Sequence, residues 1–259
     1  MATLSFVKYS GNGNDFVILD HPPIDITPSV VRRLCDRHFG VGADGVLILG
    51  TAPEHDGSMR IINADGGEVE MCGNGVRCLA SFIDTKSQVK KDTYRIKTMN
   101  ATYEVKRTSN GSFGIEMSEI KDKNSLDLKT LNEFEKSFYV NTGVPHLVFL
   151  SNDVKKIDIK NRGSFYRHHP LFLNGTNVNF VQVTGDKKAY VRTYERGVED
   201  ETFSCGTGLT ASALALSHWF DWSGAIQLQN LGGNQTVEVG NSIFYSGEVT
   251  FCFKGELHL

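Results

Sequence analysis

Residues 71–75 are Met-Cys-Gly-Asn-Gly, and residues 204–208 are Ser-Cys-Gly-Thr-Gly. A run with apolar residues at helical spacing follows each stretch: Val76, Leu79, Ala80 and Ile83 after the first, and Leu209, Ala213, Leu216 and Phe220 after the second. The spacing predicts two helices, starting near Gly75 and Gly208, each with one buried face. The same local motif therefore occurs twice, 133 residues apart when counted from cysteine to cysteine.

Three further pairs of segments repeat in the same order along the chain. They are the segments around Phe16 and His146 at a separation of 130 residues, Asn63 and Glu195 at 132, and Asp44 and Asn177 at 133. Four ordered echoes at nearly one separation indicate a duplicated unit. We therefore expect an α+β protein of two pseudo-symmetric domains, each with β-rich walls around one principal helix.

Most of the remaining chain consists of short β-rich runs between turn residues. The predicted strands are residues 16–19, 46–49, 94–98, 102–107, 113–117, 146–150, 178–183, 189–194, 225–228, 236–239 and 248–253. One more helix is predicted at Thr27-Pro28, a capping residue followed by proline at the first helical position, with Gly40 as its stop.

The composition excludes several classes of protein. The chain has 259 residues, 40% apolar and 22% charged, with a net charge of −3, which argues against a nucleic-acid or anionic-membrane binder. The N-terminus does not resemble a signal peptide, and no apolar run approaches the ~20 residues that a membrane span needs. Five cysteines, an odd and sparse set, do not form a disulfide framework. We expect a cytoplasmic protein with reduced thiols.

The sequence offers no cofactor or metal motif. The segment 11–16 lacks the third glycine of a dinucleotide-binding loop and precedes a predicted strand instead of following one. There is no phosphate-binding loop, and the adjacent His168 and His169 do not have the spacing of metal ligands. We therefore expect chemistry without a cofactor or metal.

A cysteine just before a helix meets the positive end of the helix dipole and several unpaired backbone N–H groups. Both favour the thiolate, and the N–H groups also suit a substrate carboxylate. A single such cysteine is as readily a small buried filler. Two in equivalent positions fit a two-base epimerase, in which one thiolate removes an α-proton and the other thiol returns a proton to the opposite face.

The chain resembles the diaminopimelate epimerase family along nearly its whole length. The matching blocks are Gly13-Asn-Asp-Phe16, Gly40-Val-Gly-Ala-Asp44, Asn63-Ala-Asp-Gly66, Cys72-Gly-Asn-Gly75, Pro145-His146, Asn177, Tyr194-Glu-Arg-Gly197 and Cys205-Gly-Thr-Gly208. The resemblance implies interconversion of LL- and meso-diaminopimelate without pyridoxal phosphate, in lysine and peptidoglycan precursor synthesis, by a homodimer. It implies domains at 1–110, completed by a strand at 247–259, and at 111–246, with the active site in the cleft between them.

The resemblance also implies roles for individual residues. Cys72 and Cys205 would be the acid and base, and His146 and Glu195 would move protons to and from these thiols, His146 with Cys72 and Glu195 with Cys205. The substrate-binding set would be Asn14 and Glu195 for the reacting ammonium, Gly73, Asn74, Gly206 and Thr207 for the reacting carboxylate through backbone N–H groups, and Asn63, Asn177 and Arg196 for the distal end.

Two positions depart from the family pattern at the distal end of the substrate. Many members have Gln where this chain has Gly45, and Asn where it has Val144. Reaction type is therefore better defined than specificity, and a racemase of another α-amino acid stays an alternative. A cysteine hydrolase using Cys72 or Cys205 with His146, and a non-enzymatic binding protein, are further alternatives. Cys35, Cys78 and Cys252 are interpreted as packing residues.

Overall fold

The computed structural model describes residues 3–109, 111–117, 120–123, 131 and 133–258. The chain divides into two compact units. The first comprises Met1–Ile115 together with Ser246–Leu259, and the second is Glu116–Tyr245. The first unit is therefore built from two separate stretches of chain.

In its described residues, the first unit combines a sheet with two α-helices. Its strands are β1 (Thr3–Gly11), β2 (Asn14–Asp20), β3 (Gly45–Gly50), β4 (Gly57–Asn63), β5 (Glu68–Val69), β6 (Thr93–Lys97), β7 (Thr102–Arg107), β8 (Phe113–Met117) and, from the end of the chain, β17 (Val249–His258). The helices are α1 (Pro28–Cys35) and α2 (Gly73–Lys86). The strand order is β17-β1-β2-β3-β4-β6-β7-β8, in which the β2–β3 and β4–β6 pairs are parallel.

The second unit has the same kind of layout. Its strands are β9 (Lys136–Asn141), β10 (Pro145–Leu150), β11 (Asn177–Gly185), β12 (Lys188–Glu195), β13 (Asp200–Glu201), β14 (Gly224–Asn230), β15 (Gly233–Val239) and β16 (Ile243–Gly247). A single-turn 3-10 helix (Val154–Lys156) precedes α3 (Ile159–Arg167), and α4 is Gly206–Phe220. The order β9-β10-β11-β12-β14-β15 has parallel β10–β11 and β12–β14 pairs.

The strand pairing of β1–β7 is repeated by β9–β15, including both parallel pairs. The repeat corrects one predicted correspondence. Phe16 pairs with Gly45 in the first unit, and His146 pairs with Asn177 in the second. Since Phe16 corresponds to His146 in the predicted repeat, the partner of Phe16, Gly45 and not Asp44, is the counterpart of Asn177. The difference of one residue matters because neighbouring residues of a strand point to opposite faces of the sheet.

One helix lies at the core of each unit. Helix α2 contacts β1, β2, β3, β4, β6, β7 and β17, and α4 contacts β9, β10, β11, β12, β14 and β15. Ten of the fourteen residues of α2 are buried, and α4 is buried continuously from Gly208 to Leu216. The sheet of each unit thus wraps around its helix, which confirms the predicted α+β fold of two sheet-rich units.

Both helices start two residues earlier than the apolar spacing predicts. Helix α2 starts at Gly73 and α4 at Gly206, so the N-cap residues are Cys72 and Cys205. The two glycines of each motif belong to the first helical turn. Apolar periodicity missed them because a glycine has no side chain to bury.

Helix α1 starts where predicted, with Thr27 accepting a hydrogen bond from the Val30 N–H, but it ends at Cys35 instead of running to Gly40. Gly40 packs back onto the helix, since a Cβ there would lie 1.8 Å from the Arg33 carbonyl oxygen. The prediction also missed strands β1, β4, β5, β9, β13 and β16 and helix α3.

Candidate active site

The first thiol cluster surrounds the start of α2 and consists of Asn14, Asp44, Cys72, Asn74 and Arg77. The half-buried Cys72 has an extended backbone at the N-cap, and its side chain accepts no hydrogen bond from its own helix. The Cys72 Sγ lies 3.6 Å from the Asn14 Oδ1, to which the Asn74 Nδ2 also donates at 3.4 Å. The helix start therefore holds a thiol and two amides together.

The side chains of Asp44 and Arg77 place a charged group at each end of this cluster. The Asn14 Nδ2 donates to the Asp44 Oδ2 at 2.8 Å, and the Arg77 Nη2 donates to the Asn74 Oδ1 at 2.6 Å. Arg77 is fully buried, whereas Asp44 lies at the surface and is bound by Arg37. A continuous chain of hydrogen bonds therefore runs from the Asp44 carboxylate through the amides of Asn14 and Asn74 to the Arg77 guanidinium. Asn14 in this chain is a predicted substrate ligand.

Asn63 lies at the end of β4 and pairs with Gly45, the residue next to Asp44 in the chain. Its side chain is exposed, and its backbone N–H closes a turn by donating to the Gly67 carbonyl. The structure thus places Asn63 on the strand next to the cluster.

The second thiol cluster surrounds the start of α4 and consists of His146, Asn179, Thr193, Glu195 and Cys205. Cys205 is buried, and its Sγ lies 3.4 Å from the Thr207 Oγ1. Burial raises the pKa of the Glu195 carboxyl, and the nearby Thr202 hydroxyl and Cys205 thiol partly oppose that rise. A carboxyl with a raised pKa beside a thiol is suited to proton exchange with it.

His146 is fully buried and uncharged at neutral pH. Burial, reinforced by the positive charge of Arg196, lowers its pKa to about 3. The Asn179 Nδ2 lies 3.2 Å from the His146 Nδ1 and also donates to the Leu147 carbonyl, so Nδ1 is the acceptor nitrogen. The proton is therefore on Nε2, which has no hydrogen-bond partner among the described residues. In this state His146 can donate a hydrogen bond from Nε2, but it is a very weak base and does not give up that proton.

Asn177 and Arg196 are bound to each other. The Asn177 Oδ1 accepts from the Arg196 backbone N–H at 2.8 Å, and its Nδ2 donates to the Pro145 carbonyl at 2.9 Å. The Arg196 guanidinium donates to the Asn174 carbonyl at 3.1 Å. The Asn177 amide therefore ties the Arg196 turn to the start of β10.

Asn179 and Thr193 were not predicted as site residues. The Thr193 Oγ1 donates to the Asn179 Oδ1 at 2.9 Å, and a Cβ at Gly208 would lie 2.6 Å from that oxygen and 3.3 Å from the Cys205 Sγ. Both residues therefore lie against the first turn of α4. The strand period carries a signal for Asn179, since it shares a face of β11 with the predicted residue Asn177.

The other cysteines have environments unlike those of the two N-cap thiols. Burial raises the pKa of Cys35 to about 11 and raises that of the fully buried Cys78 further. The interpretation of Cys252 as a packing residue was wrong, because it is exposed on β17. Among the described residues, no group of three His, Cys, Asp or Glu side chains is placed to hold a metal ion. No helix of the described ranges is long and apolar enough to cross a membrane.

The sequence matches the family model of diaminopimelate epimerase over residues 6–121 and 138–252. The diaminopimelate epimerase of Flavobacterium psychrophilum is 35% identical over 97% of this chain and 99% of its own length. That of Synechocystis is 34% identical over 99% of each chain.

Among solved structures, a phenazine biosynthesis protein of the PhzF family from Bacillus anthracis superposes with a TM-score of 0.77. The match covers 100% of both chains at 14% sequence identity, so it establishes a shared fold.

Proposed function

Because the chain belongs to the diaminopimelate epimerase family, we propose that it interconverts LL- and meso-2,6-diaminopimelate through the thiols of Cys72 and Cys205. The observation that carries this proposal is that each thiol is the N-cap of the central helix in one of two units with the same strand pairing. As an isomerase, it would move one proton from one face of an α-carbon to the other.

The proton balance of the proposed reaction needs only the two thiols. One thiolate takes the α-proton, and the C–H electron pair is delocalised onto the adjacent carboxylate. The other thiol then gives its proton to the opposite face of the carbon, and each sulfur ends in the other's starting state. The N–H groups of Gly73, Asn74, Gly206 and Thr207 would stabilise the charge that develops on the carboxylate.

Glu195 and His146, both in the second thiol cluster, would serve the reaction in different ways. Glu195, with its raised pKa and the Cys205 thiol nearby, would exchange a proton with Cys205 between turnovers. His146, neutral with its proton on Nε2, would donate a hydrogen bond from that nitrogen and keep its proton. Asn14 and Glu195 would bind the reacting ammonium.

For the distal amino-carboxylate we propose Asn63, Asn177 and Arg196. Only the Arg196 side chain among these offers a charged donor pair for a carboxylate. Because the Asn177 amide already binds the Arg196 backbone, its contribution would include fixing the turn from which that guanidinium extends.

The decisive experiment is incubation with LL-diaminopimelate in D₂O, following stereochemistry and mass together. We expect meso product that carries one deuterium at the inverted carbon, since the returning proton comes from a thiol that exchanges with solvent. Cys72→Ala and Cys205→Ala should each lower the rate of epimerisation by about 10³-fold or more, because each removes the acid or base for one face.

Cys252→Ala is the matched control, because it removes an exposed thiol outside both clusters, and its rate should equal that of the unchanged chain. Full turnover by either active-site variant would refute the two-thiol mechanism. Turnover of another amino acid from a panel, but not of diaminopimelate, would be compatible with the two-thiol mechanism and would refute diaminopimelate as the substrate.

We further propose that the enzyme works as a cytoplasmic homodimer that supplies meso-diaminopimelate for lysine and peptidoglycan precursor synthesis. Both thiols must stay reduced, which the cytosol favours. The rings of Phe251 and Phe253 on β17 remain 51% and 47% exposed, a surface suited to association. Sedimentation should give twice the chain mass of 28.7 kDa, and a species of a single chain mass at micromolar concentration would contradict the dimer.

A further inference from the structure

The chain of contacts through the first thiol cluster has a defined direction. The guanidinium of Arg77 can only donate hydrogen bonds, so the oxygen of the Asn74 amide must face it and the Asn74 NH₂ group must face Asn14. The carboxylate of Asp44 can only accept, so the Asn14 NH₂ group must face it and the Asn14 oxygen must face the thiol. The two charged ends therefore impose the same orientation on both amides.

We propose that Arg77 and Asp44 are positioning residues that fix the orientation of the Asn14 amide, so that its oxygen is presented to the substrate ammonium and the Cys72 thiol. The inference rests on the proposed function, in which Asn14 binds the reacting ammonium. Neither Arg77 nor Asp44 belongs to the predicted site residues, and neither is required to touch the substrate.

The orientation matters because an amide has two chemically opposite ends of nearly equal shape. With its oxygen toward the site, Asn14 accepts from the Cys72 S–H and can accept from an ammonium group. With its NH₂ group there, it would repel the ammonium and offer a second donor where an acceptor is needed. A neutral amide alone has no strong preference between these states, so charged neighbours are needed to select one.

The burial of Arg77 supports a role beyond helix formation. Its side chain is fully buried on α2, where taking a guanidinium out of water is unfavourable unless it is well bonded. Besides Asn74 it donates to the Asn12 Oδ1 at 3.2 Å, so its position is fixed from a second side. At the same place in α4, five residues after the N-cap, stands Thr210, which bonds back to its own helix. The arginine that orients an amide is therefore a feature of the first thiol cluster, and the equivalent position beside Cys205 has no arginine.

A double variant that reverses the direction of the chain tests the proposal. In Asp44→Asn/Asn74→Asp, residue 74 remains an acceptor for Arg77 but now also accepts from Asn14. Residue 44 becomes able to donate to the Asn14 oxygen. The hydrogen bonds of Asn14 are thus restored with its amide turned over, and the net charge is unchanged. Arg77 is retained, so the test does not depend on removing a buried cation.

The readout compares diaminopimelate with 2-aminopimelate, which keeps the distal amino-carboxylate and lacks the reacting ammonium. Relative to Asp44→Asn alone, we expect the double variant to raise the KM for diaminopimelate about tenfold or more, as loss of a bond to a charged group should. The inhibition constant of 2-aminopimelate should change less than about threefold, since no ammonium meets Asn14.

A measurement without substrate keeps this inference separate from the proposed function. With asparagine labelled by ¹⁵N, the side-chain NH₂ protons of Asn14 should show NOEs to the Asp15 backbone N–H in the unchanged protein, because both donate to the Asp44 Oδ2. In the double variant these NOEs should move to the Cys72 Hβ protons. This result is independent of whether diaminopimelate is the substrate.

Arg37→Gln is the matched control, because it removes a charged partner of Asp44 and leaves the carboxylate that faces Asn14. It should leave unchanged the ratio of the KM for diaminopimelate to the inhibition constant of 2-aminopimelate. Recovery of activity in the double variant relative to Asp44→Asn, or equal weakening of both ligands with unmoved NOEs, would overturn the proposal. If the unchanged chain were inactive on diaminopimelate while the NOEs moved as expected in the double variant, diaminopimelate would be refuted as the substrate. The proposed orientation of the Asn14 amide would still stand.

Discussion

Glu195 illustrates how a single proposed site residue can lower stability. Burial raises the pKa of its carboxyl above the ordinary value of 4.5, so the folded chain holds this proton more tightly than the unfolded chain. Above pH 4.5 the ionised carboxylate therefore disfavours folding, and the penalty disappears as the pH falls below that value. Glu195→Gln keeps the shape without the charge. We expect it to raise the free energy of unfolding at pH 7 and to lower kcat/KM about a hundredfold or more.

Urea unfolding at pH 7 and at about pH 4 measures the first effect, whose size should shrink at the lower pH. Glu238→Gln is a suitable control, because Glu238 is exposed on β15, and it should change neither stability nor rate. A variant that loses stability at pH 7 together with activity would show that Glu195 is a structural group.

The sequence was sufficient to place the two proposed thiols, which lie in a repeated motif, and insufficient for the residues that surround them. Cys72 and Cys205 could be predicted because a thiol, two glycines and an apolar run recur at a fixed separation. Arg77 could not, because within an apolar helix an arginine is expected to reach solvent, and its burial depends on Asn12 and Asn74. The uncharged state of His146 likewise depends on neighbours distant in sequence.

At the scale of elements, α3 shows why a helix can escape prediction. Its buried residues are Ile159, Gly163 and Tyr166, which have the spacing of one helical face. The central member of this stripe is a glycine, so the apolar pattern is interrupted where the helix packs most closely. A Cβ at Gly163 would lie 2.4 Å from the Tyr194 Cβ of β12, so glycine is required by contact between helix and strand.

We expect Gly163→Ala to destabilise the protein although alanine is the better helix former. The gain in helix propensity is about 1 kcal/mol, whereas forcing α3 away from β12 costs about 1–3 kcal/mol and displaces Tyr194, the neighbour of Glu195. Activity should therefore fall along with the free energy of unfolding in urea. Ser164→Ala on the same helix is the control and should be neutral or stabilising. Greater stability of Gly163→Ala would mean that α3 is free to move from the strand.

At the scale of the whole molecule, the repeated strand pairing carries different chemistry in its two copies. Phe16 and His146 occupy equivalent places, as do Gly45 and Asn177. The first copy surrounds its thiol with amides held between opposite charges, and the second with a neutral histidine and a carboxyl of raised pKa. Duplication therefore preserved the backbone that presents each thiol, while the side chains that serve it diverged.

The first copy also depends on the far end of the chain. Strand β17 pairs with β1 from Thr3–His258 to Gly11–Val249, and its Phe253 and Phe251 contact Phe6 and Tyr9. Deleting residues 249–259 would leave one edge of β1 without backbone partners and would expose the rings of Phe6 and Tyr9. The loss should be localised, because the second unit contains no residue of this segment.

We expect hydrogen exchange of the truncated chain to show about a hundredfold faster exchange for residues 3–20, with protection of β10 and β11 retained. Because α2 packs on β1, alkylation of Cys72 by iodoacetamide should accelerate as well, while that of Cys205 should not. Cys252→Ala, which keeps the strand, serves as the control for both measurements. Equal loss of protection in both units would mean that they unfold as one cooperative body, so that the second copy cannot keep its thiol site once the first is opened.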